Sequence, residues 1–295
     1  VNDSDYLADR FEAHRSHLKA VAYRMLGSLA EADDAVQEAW LRLSRTDTSD
    51  VTNLGGWLTT VVGRVCLDML RSRTSRREGS FEEHLPDPVV SPADGADPEQ
   101  QALIADSVGL ALLVVLESLA PAERLAFVLH DMFGVPFEEI APIVGRTPAA
   151  ARKMASRART RVRGAAPAPD PDLARQRQAV DAFLAAARDG DFHALVAILD
   201  PDVVLRADRG AVGAGLVRVN GVAAVAGMLD TFHRFATAYA VHPALVNGMA
   251  GFVSAADGQP MSVLSFTVAD GRIAAIDILS DPGRLAGLDL SLLDA

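Results

Sequence analysis

The chain has 295 residues, a formal net charge of −11 and one cysteine. That length accommodates two or three domains, and the charge and the lone thiol exclude a freestanding nucleic-acid coat and an intramolecular disulfide. The first residues are polar and acidic, and no run approaches the roughly 18–20 apolar residues of a membrane helix, so the expectation is a soluble, cytoplasmic protein.

Residues 4–78 read as wholly helical. Ser28 and Glu31 form a capping-box pair ahead of a helix whose Ala32, Val36, Trp40 and Leu43 recur at core-facing spacing. Its other side carries Asp33, Asp34, Gln37, Glu38 and Arg42, which on charge alone is a solvated face. The next helix, about 55–72, is apolar through Trp57, Leu58, Val61, Val62, Val65, Leu67, Met69 and Leu70, with Cys66 read as a buried structural thiol. It ends in Arg71, Arg73, Arg76 and Arg77, more cations than a helix C-terminus requires, so a phosphate-contacting patch stands beside the capping reading.

Residues 79–103 carry six acids, no Lys or Arg, and Pro86, Pro88, Pro92 and Pro98; this composition predicts a flexible acidic linker. Residues 104–164 return to helical texture, with apolar-striped helices at 104–117 and 121–132. Phe137, Ile140, Ala141 and Val144 then give a short helix its inner face, and Gly145 ends it. Thr147 suits the N-cap and Pro148 the first turn of a following helix bearing Arg152, Lys153, Arg157, Arg159, Arg161 and Arg163 and no acid. Short helix, glycine turn and capped basic helix together favour a helix-turn-helix whose second helix can lie in a DNA major groove over a solvated basic face on a bundle helix.

A proline-rich connector, 165–171, precedes a third segment at 172–295. Helices are expected at about 173–188, 192–199 and 221–236, with strands at 202–207, 214–220, 239–246, 250–255, 261–269 and 272–279. This is an α+β pattern with a largely antiparallel sheet. The fold class is therefore multidomain: two all-α domains and a C-terminal α+β domain.

These residues resemble a bacterial extracytoplasmic-function sigma factor of the sigma-70 family. Region 2 of that family has a helix of the type Asp33 to Trp40, followed by a Trp-Leu apolar helix with a basic end, here Gly56 to Arg77. Region 4 has Leu119, Pro121 and the Glu123–Arg124 pair, and ends in a helix-turn-helix with Arg157-Ala158-Arg159. The resemblance, covering about residues 8–163, implies that Asp33, Asp34, Gln37 and Glu38 dock on the β′ clamp helices of core RNA polymerase, with the β flap as a second polymerase contact. It implies that the end of the third helix, with Arg64, Asp68, Arg71, Arg73, Arg76 and Arg77, engages the −10 promoter element. Thr147, Arg152, Lys153, Ser156 and Arg157 would read the −35 element. Trp40 and Trp57 are placed like core residues, so no base-stacking side chain is assigned.

Residues 172–295 resemble the SnoaL-like branch of the nuclear-transport-factor-2-like fold, a cone that one group of these sigma factors carries at the C-terminus. His84-Leu85-Pro86-Asp87-Pro88 resembles that group's linker signature, tryptophan-leucine-proline-glutamate-proline. Asp281-Pro282-Gly283-Arg284-Leu285 resembles its C-terminal signature, and Asp208-Arg209-Gly210-Ala211 is a reduced form of an aspartate-triglycine motif. The resemblance implies that His84, Leu85, Pro86, Asp87, Pro88, Asp208, Asp281, Pro282 and Arg284 make regulatory contacts. The fold also hosts isomerases and cyclases, for which Asp208, His233, Tyr239, His242 and Asp277 are the acid–base candidates. The bland readings are a turn aspartate, an amphipathic-helix histidine and a solvent-facing strand aspartate, and catalysis ranks below ligand sensing and below a structural role. The seven histidines show no clustering with the cysteine or with acids, so no metal and no cofactor are expected. The leading function is a promoter-specific initiation factor, monomeric when free, modulated in cis by the cone. The alternative is a DNA-binding regulator fused to a ligand-binding or ligand-converting domain.

Overall fold

The structure is a computed structural model; it describes residues 3–46, 51, 53–76, 84–94, 109–165, 168–210 and 215–293. Helices α1 (Asp3–Leu26), α2 (Leu29–Leu43) and α3 (Leu54–Arg76) pack together. Gly27, at φ 73°, turns the chain between α1 and α2, and Ser28 Oγ accepts a hydrogen bond from the Glu31 amide at 3.5 Å. Ala32, Val36 and Leu43 are buried as the periodicity expects, while Trp40 is half-buried with its ring 5.2 Å from Phe11. In α3, Leu58, Val62, Val65 and Leu67 are buried, and burial of Cys66 pushes its thiol pKa up, out of the reactive range.

Helix α4 (Leu110–Glu117) occupies the described part of the expected 104–117 helix, whose first residues lie outside the described range. Helix α5 (Pro121–Phe127) runs on into a π turn, Val128–Met132. Here His130 stacks on Phe137 at 3.8 Å and its Nδ1 lies 3.0 Å from the Val135 carbonyl. Helix α6 (Phe137–Val144) stops at Gly145, which adopts the left-handed conformation. Helix α7 (Pro148–Ala165) follows, its cap closed by the Ala150 amide on Thr147 Oγ1 at 3.3 Å. Ala151, Ala155 and Ala158 are fully buried, and this small-residue face lets α7 lie close to α5.

The helices of 3–76 and 113–165 form one unit. Arg124 is 5% exposed and donates through Nη1 to the Met25 carbonyl at 2.8 Å, taking an orphan acceptor at the end of α1. Gly63 of α3 lies under Leu125 and Leu129: a Cβ there would sit 3.4 and 3.1 Å from their methyls. Arg24 lies over the Phe133 ring at 4.9 Å.

The second unit is a seven-stranded sheet of order β1-β4-β5-β6-β7-β2-β3 with helices on it. Its strands are β1 (Val90–Pro92), β2 (Leu199–Asp208), β3 (Leu216–Asn220), β4 (Ala240–Val246), β5 (Met249–Ala256), β6 (Gln259–Ala269) and β7 (Arg272–Leu279). Among the described residues, only the β2–β7 pair is parallel. Helices α8 (Leu173–Asp189), α9 (Phe192–Ile198), α10 (Val222–Ala226), α11 (Leu229–Ala238) and α12 (Pro282–Leu285) complete the unit. One face of the sheet buries Phe252, Phe266 and Ile276 against Phe183 of α8 and Phe232 of α11. The other buries Val246, Val253, Val263 and Leu279 against Val90 and Leu285. The expected helix at 221–236 is two helices, interrupted at Gly227 and Met228.

The acidic linker departs from its expectation. Over 84–94 it is an ordered part of the sheet unit: Val90, Ser91 and Pro92 pair with Val246, Leu245 and Ala244. Leu85, Pro86, Pro88, Val89 and Val90 are buried. Proline is compatible here because β1 is an edge strand and has no second ladder to satisfy. Asn247 reads the backbone of Val89 from both sides, with its amide on Val89 O at 2.8 Å and its Oδ1 accepting from Val89 N at 3.1 Å.

Candidate functional site

Three sequence motifs far apart in the chain converge on one carboxylate. Asp208 is the last residue of β2 and fully buried, not a turn aspartate. Its Oδ2 accepts from the Leu85 amide at 2.9 Å and from Arg284 Nη1 at 2.6 Å, and its Oδ1 from the Gly210 amide at 3.0 Å. Arg284 bridges onward through Nη2 to the Leu85 carbonyl and Asp87 Oδ1, each at 2.6 Å. His84 Nδ1 lies 3.4 Å from Asp208 Oδ2. Asp281 caps α12 by accepting from the Arg284 amide at 2.8 Å, and Pro282 occupies the first turn, so this short helix aims the guanidinium. Gly210 is required twice over: its φ is +66°, and a Cβ would overlap the Asp281 carboxylate. The remnant of the glycine motif therefore marks where the linker, strand end and C-terminal turn meet. Pro86 and Pro88 are buried beside these contacts and keep the linker extended.

On α2, Asp34 and Gln37 are exposed, Asp33 meets Lys19 of α1 at 2.9 Å, and Glu38 pairs with Arg42 at 2.9 Å. The α3 cations separate into two kinds. Arg64 and Arg71 are exposed, with Asp68 between them 3.9 Å from Arg71. Arg73 instead turns inward to the capping-box residue Glu31 and donates to the Leu26 carbonyl at 3.3 Å, so it fastens α3 to the α1–α2 turn. The side chain of Arg76, and Arg77 altogether, lie outside the described residues. A groove that sequence spacing did not reveal runs beside α3, lined by Arg42, Arg45, Thr46, Trp57, Thr60 and Arg64. Trp57 is half-buried and contributes to this groove, where the sequence placed it in the core.

Helix α7 is divided in the same way. Arg152, Lys153, Ser156 and Arg157 are exposed, as is the cap residue Thr147, and Arg152 also lies over the Phe137 ring at 5.2 Å. Arg159 is held by Asp131 of the π turn, with Nε to Oδ1 at 2.8 Å, and Arg161 and the exposed Arg157 approach Glu123 at 3.6 and 3.9 Å.

The sheet unit also encloses an apolar cavity of about 90 Å³ between the sheet and α8 and α11. None of the acid–base candidates lines it. Asp208 and Asp277 alternate with Ala207 and Ile278, which do, and therefore lie on the opposite sheet face. Asp277 is 1% exposed rather than solvent-facing and makes a two-point pair with Arg206, at 2.5 and 3.0 Å; burial pushes its carboxyl pKa up, against the opposing pull of Arg206. His233 Nδ1 lies 3.1 Å from the Ala187 carbonyl, and Tyr239 packs on Phe235 at 5.4 Å. His242 pairs with Val253 across the β4–β5 ladder.

Comparison with known proteins places this geometry. The family models Sigma-70 region 2 and Sigma-70, region 4 match residues 10–76 and 109–162. The ECF RNA polymerase sigma factor SigJ of Mycobacterium tuberculosis is 41% identical over 95% of this chain and 93% of its own. The probable ECF RNA polymerase sigma factor SigI of the same species is 34% identical over 99% of both. The crystal structure of the M. tuberculosis extracytoplasmic function sigma factor SigJ aligns with a TM-score of 0.75 at 37% identity, over 96% of this chain and 99% of that one. Its coverage extends through the C-terminal cone, whose sheet and helices have the SnoaL-like, nuclear-transport-factor-2-like arrangement. The chain belongs to the extracytoplasmic-function sigma factors of the sigma-70 family, which direct promoter-specific initiation by RNA polymerase.

Proposed function

We propose that this sigma factor is regulated in cis by a latch that folds the linker between regions 2 and 4 onto its own C-terminal cone. The observation that carries the proposal is the buried Asp208, which takes the Leu85 amide and the Arg284 guanidinium together. A linker held in this way is no longer a free tether between the two promoter-reading helices; it carries a folded domain with it. In the polymerase-competent form, Asp33, Asp34, Gln37 and Glu38 meet the β′ clamp helices and region 4 meets the β flap. Arg64 and Arg71 contact the −10 element with Asp68, and Thr147, Arg152, Lys153, Ser156 and Arg157 contact the −35 element. The groove with Trp57, Arg42 and Arg45 has the aromatic and cationic lining that suits unpaired bases of a melted −10 strand. The cone acts without turnover: its buried carboxylates are engaged by Arg284 and Arg206 and face away from the cavity.

The test is pull-down and promoter-dependent transcription with core polymerase, comparing the full chain, the Arg284→Gln variant and a chain lacking residues 165–295. Arg284→Gln and the truncation are expected to shift promoter output at least threefold, in the same direction, with core binding retained. Output unchanged in both would refute the latch; failure of every form to bind core polymerase would refute the polymerase and promoter roles.

A further inference from the structure

The cone cavity and the linker latch share the same two strand ends. Along β2, Ala207 and the following Arg209 line the cavity, while Asp208 between them holds the linker. At the end of β7, Ile278 and the following Ser280 line the cavity, and Ser280 binds the Asp208 carbonyl through its amide at 2.8 Å and its hydroxyl at 3.2 Å. A molecule lodged against Arg209 and Ser280 therefore touches residues bonded directly to the residue that grips Leu85 and Arg284.

The lining sets the chemistry of such a molecule. Its walls are apolar, with Phe183, Phe232 and Phe252 prominent, and Ser254 and Ser262 share a buried hydroxyl–hydroxyl bond of 2.6 Å. Arg209 is the sole charged residue of the lining; it is exposed and has no ion-pair partner among the described residues. Phe235, 46% exposed, and the exposed Arg209 both line the cavity, so it reaches the surface at these residues. A cationic or dianionic ligand finds no matching group, and no carboxylate or imidazole is present to transform what binds. The cavity of about 90 Å³ has room for about four carbons, at the ~25 Å³ per carbon of a cavity that holds benzene.

We propose that the cone binds a short-chain or branched monocarboxylic acid, with its hydrocarbon part in the cavity and its carboxylate on Arg209, and that occupancy tightens the hold of Asp208 on the linker. This rests on the latch reading and extends it to a signal. Ligand that orders the ends of β2 and β7 removes part of the conformational freedom that linker release requires, which is how occupancy at one face favours the closed form at the other.

The test uses the full chain with pentanoate as probe and 1-pentanol as its uncharged match. Calorimetric titration should give saturable pentanoate binding at or below about 1 mM, at least tenfold tighter than pentanol and at least tenfold weakened in Arg209→Gln, whose exposed side chain leaves the fold intact. In hydrogen exchange, pentanoate should slow the amides of Leu85 and Val89 at least threefold in the parent and not in Arg209→Gln. Absence of pentanoate binding, equal binding of pentanol, undiminished binding by Arg209→Gln, or binding with unchanged linker exchange would each overturn the proposal. No polymerase enters these measurements, so their failure leaves the transcription test of the latch standing on its own.

Discussion

At the scale of single residues, the partners of each charged group decide its role. Arg73 and Arg71 are two positions apart on one helix, yet one is fastened to Glu31 and the other faces solvent. Asp208 and Asp277 are both buried carboxylates, but one gathers the linker and the other pairs with Arg206 inside a single sheet. His17 shows how burial turns into pH dependence. It lies 3.1 Å from Thr59 Oγ1 and edge-on to Phe133 at 5.2 Å, and its pKa is lowered from 6.5 by burial, with His14 and Arg24 adding to the shift. The fold favours the neutral ring. Its contribution is therefore full above about pH 6.5 and is lost as pH falls through the lowered value, because the unfolded chain takes up the proton first. Urea denaturation at pH 7.5 and 5.0 should show the helical unit losing stability on acidification, with a smaller loss in His17→Gln; equal losses in the two proteins would contradict this.

At the scale of elements, the cations of α7 differ in their partners. Arg152 and Lys153 are exposed in its first half, Arg157 and Arg161 are exposed but approach Glu123 of α5 at 3.9 and 3.6 Å, and Arg159 is held by Asp131 of the π turn. Lys153→Ala should weaken promoter binding by the holoenzyme and flatten its salt dependence by about one unit of slope, with thermal stability unchanged. Arg159→Ala should do the converse: destabilise the helical unit by about 0.5–1 kcal/mol, the range for a partly exposed ion pair, with the salt slope kept. Salt-titrated electrophoretic binding and denaturant melts distinguish the two. The helix-turn-helix itself was legible in the sequence because Gly145, Thr147 and Pro148 are local signals with local causes. The linker strand was not: its prolines and acids read as disorder, and the apolar Leu85, Val89 and Val90 gain meaning only from the sheet edge that buries them.

At the scale of the whole molecule, the proposed contacts to both promoter elements exceed the reach of the helical unit in its packed form. A unit of about 140 residues has a radius of gyration near 14 Å, while −10 and −35 elements about 25 base pairs apart are separated by roughly 85 Å of duplex at 3.4 Å per pair. On the promoter contacts proposed above, initiation requires regions 2 and 4 to part, breaking the Arg124–Met25 bond and the packing of Leu125 and Leu129 on Gly63. Gly63→Leu should drive that separation: the new side chain meets Leu129 within 3.1 Å of its first carbon, while α3 gains helix propensity of about 1 kcal/mol. Fluorescence energy transfer between labels at residues 45 and 146 should report a longer distance in the variant, together with faster association with core polymerase; an unchanged distance would show that the packing accommodates the side chain.

What local spacing carries, the chain declares without its fold: the capped α2, the apolar α3, the glycine turn and the basic α7 have local causes, and the strands of the cone show in their alternation although their partners do not. The convergence of His84, Leu85 and Asp87 with Asp208 and Arg284 is of another kind, since 121 positions separate Asp87 from Asp208 and 200 separate His84 from Arg284, and only long-range folding brings them together. Which arginines face solvent, which carboxylates are spent on structure and which strand ends serve both cavity and linker depend on partners brought together by burial. A carboxylate has the same composition wherever it sits; its environment, set by the tertiary fold, gives it a role.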